Sequence, residues 1–200
     1  PQNKIDFALS TGDMVAGQKK GLDYAGMWEA FQNKVTRPLK RSGIALYPSP
    51  GNHDAYATRT TEREHYKKSW LAENILSLEP EFQLVPGAKN NYPFYYAFTF
   101  GPALFIALDN TNPVPFGKEL LDWMELVLEK NKGIKNKFIF GHVPLLPFAF
   151  GRESEYNARG SESFLKRMED LLEQYEVSIY LTGHSHVYYP GHRDGSTLFL

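Results

Sequence analysis

Short apolar segments of strand length recur along the chain between glycine and proline residues. They occupy residues 5–9, 44–47, 103–108, 138–140 and 177–181. Apolar runs of this length, bounded by turn-forming residues, are typical of buried β-strands. We therefore expect five strands in the interior of a sheet.

Segments with helical periodicity lie between these strands. Their apolar residues recur every three or four positions, which places them on one face of a helix. The three clearest faces consist of Tyr24, Met27, Trp28, Phe31 and Val35; of Leu120, Met124, Val127 and Leu128; and of Phe164, Met168, Leu171 and Tyr175. The alternation of strands and helices predicts an α/β fold in which helices cover a parallel or mixed sheet.

Capping and helix-breaking residues add two expectations about helices. Pro38 and then Gly43 are expected to end the first helix. The order of residues 61–64, Thr-Glu-Arg-Glu, resembles a capping box and predicts a further helix. The inward side chains of that helix would be Trp70, Leu71, Ile75 and Leu78.

The connection between residues 95–100 and 103–108 consists of Gly101 and Pro102. A two-residue connection between apolar segments predicts a β-hairpin, which adds antiparallel pairing to the sheet. Segment 55–91 departs from the strand-helix alternation, and we expect it to be an insertion near one edge of the sheet. Internal repeats are absent, so we expect one domain over residues 1–200.

Composition narrows the possible classes of function. The chain has 22 Lys and Arg against 23 Asp and Glu, and this balance argues against a dedicated nucleic-acid or membrane-surface binder. No apolar run reaches the roughly 20 residues that a membrane-spanning helix needs. Because the chain contains no cysteine, a metal ion would have to be bound by His, Asp, Glu or Asn.

Polar residues that can bind metal ions follow four of the predicted strands. They are Gly12-Asp13, Gly51-Asn52-His53-Asp54, Gly141-His142 and Gly183-His184-Ser185-His186. Ligands of open α/β sheets bind beyond the carboxyl ends of the strands, so we expect these groups to converge there, with glycine permitting tight turns or a close approach to an ion. A ligand set of imidazoles, one carboxylate and one amide oxygen suits Zn, Mn or Fe. Because this set is mostly neutral, two divalent ions bound to it would attract an anionic substrate such as a phosphate ester.

These motifs resemble the calcineurin-like metallophosphoesterase superfamily, whose pattern contains D-x-H, G-D, G-N-H-[DE], a later G-H and G-H-x-H. The resemblance implies a mixed β-sandwich flanked by helices, with four layers in the order α/β/β/α. It also implies that Asp13 bridges two metal ions. The remaining ligands would be Asn52, His142 and His184 at one ion and His186 at the other.

The resemblance gives the other two residues of the second motif a catalytic role. His53 would not bind metal but would stabilise the transition state or protonate the leaving oxygen. Asp54 would orient the ring of His53. The reaction implied is attack on phosphorus by a metal-bound hydroxide at a dinuclear site.

Within the superfamily, residues 103–111 and 184–188 are most similar to the branch that contains the purple acid phosphatases. Those enzymes carry a tyrosine three positions after the bridging aspartate, where this chain has Ala16. We therefore expect a pair of divalent ions without a ferric-tyrosinate chromophore, and a relative of the purple enzymes rather than a member.

The D-x-H element does not match any residues before Asp13, since Asp6 is followed by Phe7 and Ala8. We expect it upstream of Pro1, and we expect the chain to be truncated at both ends. The intact protein would then bind two divalent ions, Mn, Zn or Fe. These 200 residues would hold at most one of them well, because two ligands rarely retain a divalent ion.

Substrate recognition is assigned to four further residues near the predicted site. They are Arg152, Arg193, Tyr188 and His192. Arginine can bind a phosphate through paired hydrogen bonds, although a solvated surface position is the more usual role for any one of these arginines. The loop at residues 143–160 is the expected specificity element because it is long, rich in proline and next to His142.

The expected function is metal-dependent hydrolysis of a phosphate ester, with a phosphomonoester favoured. One alternative is a phosphodiesterase or nuclease with the same chemistry; another is a degenerate scaffold that binds a partner. The expected partner is a small phosphorylated molecule and not a membrane, and the balanced charge disfavours nucleic acid. Localisation and oligomeric state stay open.

Overall fold

The computed structural model describes residues 4–73, 83–84, 91–111, 113–145, 161–192 and 197–200. The strands are β1 (Phe7–Ser10), β2 (Ala45–Pro48), β3 (Gln83–Leu84), β4 (Tyr96–Phe100), β5 (Ala103–Ala107), β6 (Asn136–Phe140), β7 (Ile179–Leu181), β8 (Gly191–His192) and β9 (Leu198–Phe199). The helices are α1 (Tyr24–Phe31), α2 (Arg37–Arg41), α3 (Asn52–Ala55), α4 (Thr60–Glu73), α5 (Pro113–Lys130) and α6 (Ser161–Gln174). A π-helical segment, Gln32–Thr36, joins α1 to α2.

The described strands form two sheets. β1 and β2 pair in parallel, with Phe7 opposite Ala45. The other sheet has the strand order β3-β4-β5-β6-β7-β9-β8. It is parallel from β5 through β6 and β7 to β9, and antiparallel between β3, β4 and β5 and between β8 and β9. The predicted α/β class, mixed sheet and hairpin are confirmed.

Aromatic side chains fill the space between the two sheets. The ring of Phe7 lies 5.1 Å from that of Phe105, and Tyr47 stacks on Phe98 at 4.4 Å between ring centroids. On the outer side of β1 and β2, helices α1 and α4 contribute buried residues to the same cluster, including Trp28. This cluster joins three layers of the fold.

The opposite face of the larger sheet carries a second apolar cluster. Its sheet residues include Leu104, Ile106 and Ile139, and helices α5 and α6 cover them with the predicted apolar faces. The described part of the chain thus has the predicted layer order α/β/β/α. None of its helices is both long and apolar enough to cross a membrane.

The helix boundaries depart from the prediction in two places. The first helical region does not end at Pro38, which lies in the first turn of α2 directly after the π-helical segment. A proline within a helix removes one backbone hydrogen bond, and a π turn is one way for a helix to accommodate such an interruption. α4 begins at Thr60, so Thr61 does not cap it, and Leu71 is 49% exposed. Ile75 and Leu78 lie outside the described residues.

Candidate metal centre

The candidate centre lies at the carboxyl ends of β1, β2, β6 and β7, where the loops after the strands meet. Glycines allow two of these loops to touch. A Cβ atom at Gly51 would lie 2.1 Å from the backbone nitrogen of Asp13, and one at Gly12 would lie 2.4 Å from that of Gly51. Gly12 also has a φ of 96°. Gly12 therefore has the conformation of the expected tight turn, and both glycines also allow the two loops to touch.

Four side chains predicted to bind one metal ion lie together at this point. His142 Nε2 is 2.8 Å from Asn52 Oδ1 and 3.3 Å from Asp13 Oδ2. His184 Nδ1 is 2.9 Å from Asn52 Oδ1 and 3.1 Å from His142 Nε2. Ligand atoms of Asp13, His142 and His184 all lie within 4.8 Å of one another.

The ring of His142 is fixed by a main-chain group. Its Nδ1 lies 2.7 Å from the carbonyl oxygen of Thr11, which can only accept a hydrogen bond. Nδ1 therefore carries the proton, and in the neutral ring Nε2 keeps its lone pair. That lone pair points at the oxygens of Asn52 and Asp13, as a metal-binding histidine requires.

Asn110 binds the backbone of His142 and of the next residue. Its Oδ1 accepts hydrogen bonds from the backbone nitrogens of His142 at 2.8 Å and Val143 at 3.1 Å. Its Nδ2 lies 2.6 Å from Val143 O and 2.7 Å from Tyr180 Oη. Because every one of these groups is buried, their hydrogen bonds to Asn110 restrain the His142 peptide.

Asp13 is ionised and its carboxylate is aimed at the cluster. Burial raises its pKa, but the nearby His142 ring and the backbone N–H of His53 outweigh burial and leave the pKa below its ordinary value. Oδ1 accepts that N–H at 2.9 Å. The backbone φ of Asp13 is 56° and that of His184 is 63°, and such left-handed residues other than glycine concentrate at functional sites.

His53 and Asp54 lie beside the cluster, on α3, with different partners from those expected. Gly17 N–H donates to Nδ1 of His53 at 3.3 Å, so Nδ1 is the acceptor and Nε2 carries the proton of the neutral ring. Asp54 does not orient this ring. Its Oδ1 accepts from the backbone nitrogens of Met14 and Val15 at 2.8 and 3.0 Å, and its Oδ2 from that of Gly51 at 3.0 Å.

The expected contact between His53 and Asp54 fails because consecutive helical residues point in different directions. Asp54 instead fastens the loop that carries Asp13 to the loop that carries Asn52. Burial raises the pKa of Asp54 to about 6, against the effect of its backbone hydrogen bonds from Val15 and Gly51.

Among the described residues, the side chains placed to hold an ion do not include His186. His186 is exposed, with a φ of 54°, and Tyr188 is 78% exposed beside it. His192 lies in β8, where its Nδ1 is 3.1 Å from Thr197 O. Arg152 and Arg193 lie outside the described residues, as does most of the loop at residues 143–160.

The groups that support the metal-binding side chains were not predicted from the sequence. Thr11 acts through its carbonyl oxygen, which no side-chain motif can indicate. Asn110 follows β5 at the same edge of the sheet as the other site residues, so its position carried a usable signal. Glu62, interpreted as part of a capping box, is a buried residue behind the Asp13 loop.

The chemistry of the four side chains fits a divalent cation. The unprotonated Nε2 of His142 faces the amide oxygen of Asn52 and the carboxylate of Asp13, and all three atoms are electron donors. Donors this close repel one another unless a cation lies among them. A set of two imidazoles, one carboxylate and one amide oxygen suits Zn, Mn or Fe.

Comparisons with known proteins establish the family of the chain. The model of the family described as calcineurin-like phosphoesterase matches residues 1–188. A comparison with curated protein sequences finds no match. A purple acid phosphatase, PPD1 from yellow lupin (Lupinus luteus) seeds, is similar over 98% of this chain, with 19% identity and a TM-score of 0.60, and this chain covers 36% of it.

A second solved structure shares the fold. The phosphopantetheinyl hydrolase PptH from Mycobacterium tuberculosis is 14% identical, with a TM-score of 0.54. The likeness covers 98% of this chain and 77% of that protein. The two structures establish the common architecture, and the family model covers nearly the whole sequence. The chain belongs to the calcineurin-like phosphoesterase family.

Proposed function

We propose that this protein hydrolyses phosphate esters in a metal-dependent reaction, with phosphomonoesters as the favoured substrates. The observation that carries the proposal is the convergence of Asp13, Asn52, His142 and His184, in which the lone pair of His142 Nε2 faces the oxygens of Asn52 and Asp13. Such a set of donors has no evident use in a purely structural role. A scaffold that binds only a partner does not require it.

The four side chains would hold one divalent ion. When bound, divalent ions of this kind polarise phosphoryl oxygens and acidify water. Asp13 would also contact a second ion, to which His186 would contribute. Because only one of these residues is anionic, the centre keeps a positive excess that favours a phosphoryl group.

His53 would assist departure of the alcohol. Gly17 N–H occupies its Nδ1, so the proton of the neutral ring is on Nε2 and is available to an oxygen of the substrate. A hydrogen bond from Nε2 would offset negative charge on a phosphoryl oxygen or on the leaving oxygen. Asp54 supports this geometry indirectly, by holding the Asp13 loop.

Recognition of the rest of the substrate is assigned to Tyr188, His192, Arg152 and Arg193. The exposed ring of Tyr188 lies four residues after His184 and offers a surface for an aromatic or apolar leaving group. The two arginines would bind phosphate oxygens.

A substrate panel tests the proposal. It contains aryl and alkyl phosphomonoesters, aryl phosphodiesters, a phosphopantetheinyl ester and a short oligonucleotide, each with Mn, Zn or Fe. We expect turnover of monoesters above diesters, lost in Asp13→Asn. The matched control is Asp170→Asn, since Asp170 lies on α6 and its carboxylate pairs with the exposed Lys166. Turnover confined to diesters would replace the monoester proposal, and no turnover with any metal would refute the function.

A further inference from the structure

A buried carboxylate outside the metal cluster holds the loop that contacts His53. Glu62 on α4 is 2% exposed. Its Oε1 accepts hydrogen bonds from the backbone nitrogen of Gln18 and from the hydroxyl of Tyr24, both at 2.8 Å. Burial of a carboxylate is costly unless hydrogen bonds compensate, and these two bonds join α4 to the backbone of Gln18 and to Tyr24 of α1.

The loop that Glu62 holds runs from Met14 to Gln18 and lies against α3. Gly17 N–H donates to His53 Nδ1, and the side-chain amide of Gln18 donates to the carbonyl oxygen of Asn52 at 3.0 Å. A Cβ atom at Gly17 would lie only 1.9 Å from His53 O, so the loop and α3 are in direct contact. The backbone φ of Gln18 is 63°, a value that residues other than glycine rarely adopt.

We propose that Glu62 is a positioning residue for His53. Its Oε1 fixes Gln18 N–H, and the adjoining Gly17 N–H is thereby held against Nδ1 of His53. The ring then keeps its proton on Nε2 and a fixed position on α3, next to Asn52. The effect on turnover rests on the proposed function, whereas the effect on the ring does not.

The hydrogen bonds of Oε1, and not the negative charge of Glu62, carry this role. Among the described residues, Oε2 is buried without a hydrogen-bond partner. Arg59 approaches Oε1 at 3.5 Å from a position with 45% side-chain exposure, where an ion pair contributes little. An amide in place of the carboxylate would keep the accepting oxygen and leave the second position equally free of partners.

Two variants of Glu62 separate the effect of side-chain length from the effect of charge. Glu62→Gln keeps the reach and removes the charge; Glu62→Asp keeps the charge but withdraws the oxygen by one methylene. Tyr24→Phe, which removes only the other donor to Oε1, is the matched control. The readouts are the ¹⁵N NMR signals of the His53 ring, the affinity for Mn, and kcat and KM on alkyl and aryl phosphomonoesters.

We expect Glu62→Gln and Tyr24→Phe to retain the Nε2–H form of His53 and near-normal turnover. Glu62→Asp should shift His53 toward a mixture of ring forms. It should lower kcat on alkyl phosphates about 10–100-fold, as small misplacements of catalytic groups do, with less effect on aryl phosphates, KM and Mn affinity. An unchanged His53 spectrum in Glu62→Asp would overturn the proposal, as would a Glu62→Gln protein as impaired as Glu62→Asp.

The same experiment distinguishes failure of the positioning role from failure of the proposed function. If the wild-type protein hydrolyses no ester, the function fails, and the His53 spectra of the three variants still decide the role of Glu62. If the wild type is active and the spectra do not change, only the positioning role fails.

Discussion

The Nδ1 atom of His142 lies 2.7 Å from the carbonyl oxygen of Thr11, and this contact joins the two sheets at the candidate metal centre. Thr11 follows β1 of the small sheet, and His142 follows β6 of the large one. The bond sets both the orientation of the ring and the position of its proton. A main-chain acceptor thus decides that Nε2 faces Asn52 and Asp13.

The first prediction concerns metal affinity. Asn52→Ala should weaken Mn or Zn binding by more than the roughly 10–100-fold that loss of an outer-shell partner costs, because Asn52 Oδ1 touches both histidines. Asn131→Ala is the matched control, since the side chain of Asn131 donates to Val127 O at the end of α5, near the amino end of β6. Calorimetric titration measures both affinities. Equal affinities in the two variants would remove Asn52 from the ligand set.

The second prediction concerns Asn110. Asn110→Leu should lower the free energy of unfolding by about 3 kcal/mol or more, because it leaves several buried polar groups unpaired. It should also weaken metal binding by about 10–100-fold through His142. Tyr180→Phe removes one partner of Asn110 and should cost about 1 kcal/mol. Urea unfolding and metal titration give the values, and normal metal affinity in Asn110→Leu would contradict a role in placing His142.

The third prediction concerns His53. His53→Asn should retain bound metal but lose roughly 10²–10⁴ in kcat on substrates with poor leaving groups, and less on activated aryl phosphates. The difference arises because a good leaving group needs little help from a proton donor. Metal analysis and steady-state kinetics on the same preparation make the test. A variant that loses its metal would contradict the assignment of His53 as a residue that does not bind metal.

The fourth prediction concerns the ion pair between Arg63, whose side chain is 16% exposed, and the buried Asp109. Arg63 Nη2 lies 2.8 Å from Asp109 Oδ2. Arg63 also donates to Ala55 O and lies over the ring of Phe94. Arg63→Met should therefore lower the free energy of unfolding by roughly 3–5 kcal/mol. Lys118→Met, which breaks an exposed pair with Asp122, should cost no more than about 1 kcal/mol.

The decrease in the free energy of unfolding caused by Arg63→Met should depend on pH. Burial raises the pKa of Asp109 above its ordinary 3.8, and Arg63 opposes that rise. Because its pKa is raised in the folded state, the protonated form of Asp109 stabilises the fold, fully at pH values below the pKa in the unfolded chain. This stabilisation is lost as pH rises through the pKa of Asp109 in the folded state. Without Arg63 the pKa rises further, so the variant should lose more stability at about pH 8 than at about pH 5. A loss that shrinks with rising pH would contradict this sign.

The sequence predicted the layers of the fold and the convergence of the central cluster better than the residues that support this cluster. Apolar runs and helical faces encode burial directly, and glycine-polar motifs after strands identify one edge of a sheet. The partner of Asp54 depends on local geometry: two adjacent residues of α3 diverge, so Asp54 meets Met14, Val15 and Gly51 instead of His53. Glu62 and Thr11 act on residues distant in sequence, through backbone groups that no side-chain pattern displays.

The central claim is that metal-dependent ester hydrolysis takes place at the cluster of Asp13, Asn52, His142 and His184. The most direct test follows release of inorganic phosphate from an aryl phosphomonoester by wild type and His142→Ala, after removal of metals with a chelator and again after addition of Mn. We predict that wild-type activity disappears with the chelator and returns with Mn, and that His142→Ala stays inactive in both conditions. Hydrolysis that survives the chelator, or that His142→Ala retains in full, would contradict the account.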